Sequence, residues 1–93
     1  MDADRINKIR FRSWRRGFRE ADLILGPFAD KVVPTLTDAE LDELEYLLDQ
    51  SDQDLYAWII GTADAPAAFD TAMLTRLKAF RFEALGARQD FGA

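Results

Sequence analysis

Apolar residues recur at helical spacing in five stretches of the chain. The first extends from about residue 4 to residue 15, with an apolar stripe of Ile6, Ile9, Phe11 and Trp14. The second extends from about residue 18 to residue 32, with Phe18, Ala21, Leu25 and Phe28 near one face. Pro27 cannot donate a hydrogen bond to the carbonyl of Leu23, so this helix either kinks there or ends at Leu25. A kink is favoured because Phe28 and Val32 continue the pattern.

The third helix has the clearest predicted start. Thr37 and Glu40 have the spacing of a capping box, in which each side chain accepts a hydrogen bond from the other residue's backbone N–H. The inner face that follows is predicted to consist of Leu41, Leu44, Leu47 and Leu48.

The last two helices are bounded by turn and cap residues. The fourth starts at Ser51 or Asp52 and ends before Gly61, because glycine suits the left-handed position that follows a helix. The fifth starts near Pro66, since proline is favoured at a first helical position. Its inner face is predicted to contain Phe69, Ala72, Met73, Leu77 and Phe80. Leu85 and Gly86 close this helix, and the final residues fray.

Strand signals are weak, because the β-branched pair Val32 and Val33 is stopped at once by Pro34. Amphipathic helices with short connections predict an all-α fold, namely a compact five-helix single domain. We expect this domain to span residues 1–93, with a core over about residues 5–85 and a frayed C-terminal tail.

The 93 residues include no histidine and no cysteine. This excludes disulfides, thiolate nucleophiles and zinc–thiolate or iron–sulfur sites, and it removes the commonest general base and metal ligand. A small binding module therefore becomes more plausible than an enzyme. The apolar runs are too short to span a membrane. The Arg-rich start is interpreted as mature protein instead of a transit peptide, because it carries Asp2 and Asp4.

The net charge of −5 is unevenly distributed along the chain. Residues 1–20 carry +4, residues 21–75 carry −11 and residues 76–93 carry +2. Such an asymmetry usually concerns partners and not the fold. One interpretation is a small nucleic-acid-associated regulator that uses the basic first helix. The acidic body disfavours it, because it would repel phosphate, and a solvated face or a protein contact is the preferred interpretation.

Two polar segments are candidate sites. Around Gly17 the chain reads Trp14, Arg15, Arg16, Gly17, Phe18, Arg19, Glu20, Ala21 and Asp22. The simpler interpretation is a turn in which glycine permits a positive φ. Composition and spacing alone favour that interpretation. The arginines and acids exceed what a turn needs, however, so the alternative is that Arg16 and Glu20 are freely presented to a polar cleft of another protein.

The second segment contains Asp52, Asp54 and Trp58. An EF-hand loop starting at Asp52 is rejected, because its sixth position is Ala57 and its twelfth is Ala63. The simpler interpretation is N-capping of the fourth helix by Ser51 or Asp52. Leu55 then belongs to the core, and Trp58 is expected at the surface edge of the core.

The segment Arg16-Gly17-Phe18-Arg19-Glu20 fits an Arg-Gly-x-x-Glu motif, and with its neighbours the sequence resembles the SdhE family, the flavinylation factors of succinate dehydrogenase. Pro27-Phe28 and the later Asp54-Leu55-x-x-Trp58 agree with that family, although Gln53 stands where the family often has proline. The resemblance covers about residues 5–82, in the right order and at the right spacing.

The resemblance implies a bacterial, cytoplasmic assembly factor that binds the flavoprotein subunit of succinate dehydrogenase and, in some bacteria, of fumarate reductase. It implies that the chain promotes covalent attachment of FAD to a histidine of that subunit. It also implies that the chain holds no cofactor tightly, has no nucleic-acid partner and does not insert into a membrane. The residues carried over as partner-binding are Arg16, Gly17 and Glu20, adjoined by Arg15, Trp14 and Asp22. Asp52, Asp54 and Trp58 follow as partner-binding or structural residues. Gly17 is then expected to stay small because the partner approaches its backbone.

Covalent flavin commonly joins histidine or cysteine, and this chain has neither. The bond would therefore form on the partner, and the chain is expected to act as a chaperone and not as an enzyme.

Overall fold

The computed structural model describes residues 3–81, and helices dominate this range. The elements are α1 (Ala3–Ser13), α2 (Arg19–Lys31), a 3-10 helix (Val33–Thr35), α3 (Asp38–Leu48) and α4 (Asp52–Ile60). A fifth helix, α5, extends from residue 72 to residue 81, the last described residue. No strand occurs within residues 3–81, so the all-α prediction is confirmed for them. The expected domain bounds of 1–93 stay a prediction.

The helix α2 continues through its internal proline. It runs unbroken from Arg19 to Lys31 with Pro27 inside, so it does not end at Leu25. Beyond the proline, the N–H of Val32 still donates to the carbonyl oxygen of Phe28 at 2.8 Å. Buried side chains of Ala21, Leu25 and Phe28 confirm most of the predicted inner face.

The capping box of α3 is confirmed. The N–H of Glu40 donates to Oγ1 of Thr37 at 3.2 Å, and the N–H of Thr37 donates to Oε1 of Glu40 at 2.9 Å. A cap of this kind contributes about 1 kcal/mol. The predicted inner leucines are buried as a set: Leu41, Leu44, Leu47 and Leu48.

Both ends of α4 follow the sequence signals. Oγ of Ser51 accepts the N–H of Asp54 at 3.1 Å, which makes Ser51 the N-cap. Gly61 follows the helix with φ +84°, the left-handed conformation for which glycine was predicted.

The predicted start of α5 is wrong. The carbonyl oxygen of Pro66 accepts the N–H groups of Phe69 and Asp70 at 2.8 and 3.0 Å, so a tight turn stands where the helix was expected. The helix begins at residue 72 instead, because Oγ1 of Thr71 accepts the N–H of Leu74 at 3.3 Å and supplies the cap that Pro66 lacks.

The inner face of α5 is only partly as predicted. Met73, Leu77 and Phe80 are buried, whereas Ala72 is exposed. Phe69 lies in the preceding turn, where it stacks on Trp58 and Tyr46 with ring centroids 5.1 and 5.0 Å apart. The expected closure at Leu85 and Gly86 and the frayed tail lie outside the described residues.

The core is formed chiefly by α2, α3, α4 and α5, and α1 covers one side of it by packing against α2. α1 buries only Ile9 and Ser13. Phe28 of α2 and Phe80 of α5 meet edge to face at 5.4 Å. Among the helices described, none combines the length and the apolar character that a membrane crossing needs.

Candidate protein-docking corner

The chain turns sharply between α1 and α2, and we call residues 14–22 the α1–α2 corner. Gly17 has φ +103°, a conformation that side-chain-bearing residues rarely adopt. Oδ1 of Asp22 accepts the backbone N–H of Arg16 at 2.7 Å and so closes the turn from the first turns of α2. Asp22 therefore acts within the chain, and its carboxylate is already engaged.

Arg16 is buried instead of freely presented, with only 6% of its surface exposed. Its Nη2 forms an ion pair with Oδ1 of Asp52 at 2.8 Å and donates to the carbonyl oxygen of Gln50 at 3.2 Å. Burial lowers the pKa of Arg16, and the charge of Asp52 opposes this shift. The expected presentation of Arg16 is therefore wrong, because its guanidinium ties the corner to the turn between α3 and α4.

Gly17 lies against the same carboxylate. A Cβ atom at this position would come within 2.9 Å of Oδ2 of Asp52, closer than real Cβ contacts allow. The need for a small residue at Gly17 therefore has a source inside the chain, in addition to the partner approach expected from the resemblance. The sequence does not reveal this contact, because the two residues are far apart along the chain.

Trp14 packs across α2 and remains partly accessible. A Cβ on Gly26 would lie 2.3 to 2.5 Å from ring atoms of Trp14, so only glycine lets the indole pack against this helix. The indole Nε1–H donates to Oδ2 of Asp30 at 3.3 Å, while 40% of the residue stays exposed. Trp14 can thus support the corner and offer part of its ring to a partner.

The accessible charged side chains of the corner are Arg15, Arg19 and Glu20. The guanidinium of Arg15 lies over the ring of Phe11, 4.4 Å from its centroid. Phe11 is 60% exposed, so its predicted place in the inner stripe is wrong. Two residues along a helix correspond to about 200° of rotation, and this spacing from Ile9 turns Phe11 away from the core.

The three residues of the second candidate segment lie in different surroundings. Asp52 joins the corner through its contacts with Arg16 and Gly17. Asp54 is exposed in the first turn of α4. Trp58 is 7% exposed and belongs to the core, which corrects its expected place at the surface edge.

The basic first segment is joined to the acidic body by ion pairs. Arg10 pairs with Asp30 at 2.9 Å and Arg12 with Asp49 at 2.7 Å, while Arg5 pairs with both Asp42 and Glu45. With the pair of Arg16, four of the seven basic residues in 1–20 are engaged within the chain. The asymmetry therefore serves the fold directly, and the continuous basic face that a nucleic-acid regulator needs is largely neutralised.

The corner offers charged and aromatic groups that can recognise another molecule. Within residues 3–81, no group of His, Cys, Asp or Glu could hold a metal ion. The corner presents a glycine backbone, a glutamate, arginines and two partly exposed aromatic rings. Fold and corner together define a small all-α protein with a charged, partly accessible corner between α1 and α2.

Residues 7–81 match the model of the family described as flavinator of succinate dehydrogenase. The chain belongs to this family, as the resemblance had predicted. The match includes the whole α1–α2 corner, α1 from residue 7 onward, and α2 to α5 as far as they are described.

Curated relatives carry assembly-factor names. The chain is 39% identical over 67 residues to "Succinate dehydrogenase assembly factor 2, mitochondrial" of Dictyostelium discoideum, covering 72% of this chain and 48% of that protein. It is 33% identical over 75 residues to "FAD assembly factor SdhE" of Acetobacter pasteurianus, covering 81% and 69%. The protein of the same name from Vibrio cholerae is 40% identical over 47 residues, covering 50% and 55%. The chain spans about half or less of the mitochondrial relatives it matches.

Proposed function

We propose that this chain is an assembly factor that binds the flavoprotein subunit of succinate dehydrogenase and promotes covalent attachment of FAD to a histidine of that subunit. The observation that carries this proposal is the family match over residues 7–81, which includes the Arg16-Gly17-x-x-Glu20 corner. Relatives with bacterial and with mitochondrial names support the same role. Action on fumarate reductase and a bacterial cytoplasmic location stay predictions.

The docking surface consists of the accessible part of the corner. Glu20 is exposed and has no ion pair within the described part of the chain, so its carboxylate is available to a cationic or hydrogen-bond-donating group. Arg15 and Trp14 flank it, and the exposed backbone at Gly17 permits close approach. Arg16 and Asp22 contribute indirectly, since their polar groups bind within the chain.

The chain promotes the reaction by holding its partner and not by supplying a reactive group. FAD becomes the partner's covalently bound cofactor, and the histidine that receives it belongs to the partner, because this sequence contains neither histidine nor cysteine. Holding the partner's domains in a reactive arrangement can lower a barrier by several kcal/mol, on the order of what orientation contributes in general. The chemistry is then that of the flavin and the partner's own residues.

Co-expression with the apo flavoprotein subunit tests the role directly. In-gel flavin fluorescence of the denatured subunit should appear with the wild-type chain and be weak without it. The variant Glu20→Gln should lower this signal while its helical circular dichroism stays normal. Glu43→Gln on α3 is the control, because Glu43 has no ion pair in the described range and lies outside the corner. Equal fluorescence with and without the wild-type chain would refute the proposed function.

A further inference from the structure

Asp52 contacts two residues of the α1–α2 corner at once. It is the first residue of α4, and its Oδ1 accepts from Nη2 of Arg16 at 2.8 Å. Its Oδ2 lies where a side chain on Gly17 would have to pass, 2.9 Å from the ideal Cβ position. A single carboxylate therefore fixes the arginine of the motif and occupies the space beside its glycine.

The next residue extends this attachment. The ring of Phe18 meets the ring of Tyr56 on α4 edge to face, with centroids 5.0 Å apart. Arg16, Gly17 and Phe18 are thus held in succession by α4 and by the carbonyl group of Gln50 before it. The position of the corner is set by the N-terminal half of α4.

The ion pair is poorly built for stability alone. Arg16 is buried, yet its Nε has no hydrogen-bond partner within the described residues. Burying the guanidinium costs free energy, and an unsatisfied donor leaves part of that cost uncompensated, while the side chain of Asp52 stays 38% exposed. Fixing one geometry is the best-attested benefit of such a pair.

We propose that Asp52 is a positioning residue for partner binding. By holding Arg16 and lying against Gly17, it sets the geometry in which the Gly17 backbone and Glu20 meet the partner. The arginine of the motif then acts inside the chain and not at the interface. This inference rests on the proposed function, and it assigns the specificity of the corner to a residue 35 positions beyond Gly17.

A matched pair of variants tests the assignment. Asp52→Asn removes the charge at the first residue of α4, and Asp38→Asn removes the same charge at the first residue of α3. Both lose a similar interaction with a helix dipole, but Asp38 has no ion pair in the described range. In titration calorimetry with the apo flavoprotein subunit, Asp52→Asn should raise the Kd at least about tenfold. Asp38→Asn should raise it by less than about twofold.

A double-mutant cycle separates positioning from direct contact. If Asp52 acts through Arg16, then Asp52→Asn, Arg16→Met and the double variant should weaken binding to a similar extent. The double variant leaves no buried charge without a partner, so it provides a folded reference even where a single variant is unstable. Folded fractions from urea titrations are used to correct every Kd.

Each outcome has a defined meaning. If the fold-increases in Kd of the two single variants multiply in the double variant, Arg16 and Asp52 contact the partner independently, and the inference is overturned. A lower urea midpoint with an unchanged Kd would also overturn it, since the pair would then be only structural. A wild-type chain that fails to bind the subunit would instead overturn the proposed function.

Discussion

Gly17→Ala is the most informative single change, because two separate costs meet at this residue. Its φ of +103° is unfavourable for alanine, and a methyl group would displace the carboxylate of Asp52. A left-handed conformation costs an L-residue about 1–2 kcal/mol. Alanine also has less conformational freedom than glycine in the unfolded chain, which stabilises the folded state by about 0.4–1 kcal/mol. Strain alone therefore leaves a net destabilisation of about 0–1.6 kcal/mol.

The contact with Asp52 adds the larger part. If the methyl group pushes the carboxylate away from Arg16, a hydrogen bond to a charged group is lost, which costs about 1.5–3 kcal/mol. We expect Gly17→Ala to lower the free energy of unfolding by about 1.5–4.6 kcal/mol in total. A change of 1 kcal/mol shifts the Tm of a domain of this size by about 4–8 °C.

Gly61→Ala is the matched control for this experiment. Gly61 also has a positive φ, +84°, but a Cβ there would meet nothing within 4 Å. Both variants carry the strain of a positive φ, so their difference reports the contact with Asp52 alone. Thermal unfolding followed by circular dichroism should therefore place the Tm of Gly17→Ala about 6–24 °C below that of Gly61→Ala. Equal values for the two variants would refute the role of Asp52 as an obstacle to a side chain at Gly17.

Three further changes test other parts of the fold. Gly26→Ala should destabilise the chain despite its better helix propensity, because a methyl group would displace the Trp14 ring; a red shift of tryptophan fluorescence and a lower urea midpoint would show this, and an unchanged spectrum would contradict it. Leu44→Ala should cost about 2–5 kcal/mol in urea unfolding, since Leu44 is buried in α3, and a loss below 1 kcal/mol would contradict that packing. The backbone hydrogen bond of Thr37 lowers the pKa of Glu40 below 4.5, so its contribution to stability is present above that pH and is lost as the pH falls through the folded-state pKa. Wild type should therefore lose more stability than Glu40→Gln on acidification, and parallel pH profiles would count against the capping box.

Local signals in the sequence were sufficient where both partners of an interaction are close along the chain. The capping box of Thr37 and Glu40 and the glycine after α4 were predicted correctly for this reason. The start of α5 was not, because Pro66 is compatible both with a first helical position and with a tight turn. The hydroxyl of Thr71, which caps the helix, decides between them.

The candidate site was predicted in composition but not in geometry. Arg16, Gly17 and Asp52 were each singled out, yet nothing in their spacing indicates that one carboxylate joins the other two. Charge on a residue also suggested exposure, whereas Arg16 is buried. Such pairings depend on how the α1–α2 corner lies against α4 in three dimensions, which periodicity within single helices does not encode.

The attachment of α1 has a consequence for motion. This helix buries only two of its residues, while the arginines along and after it reach acids on other elements. Its outer pairs are exposed enough for dissolved ions to weaken them, whereas the pair of Arg16 with Asp52 is shielded on the arginine side. Local opening of α1 at high ionic strength should therefore stop at the corner. The end of α1 next to the corner would stay attached through Arg16, while the rest of the helix could move away from the core.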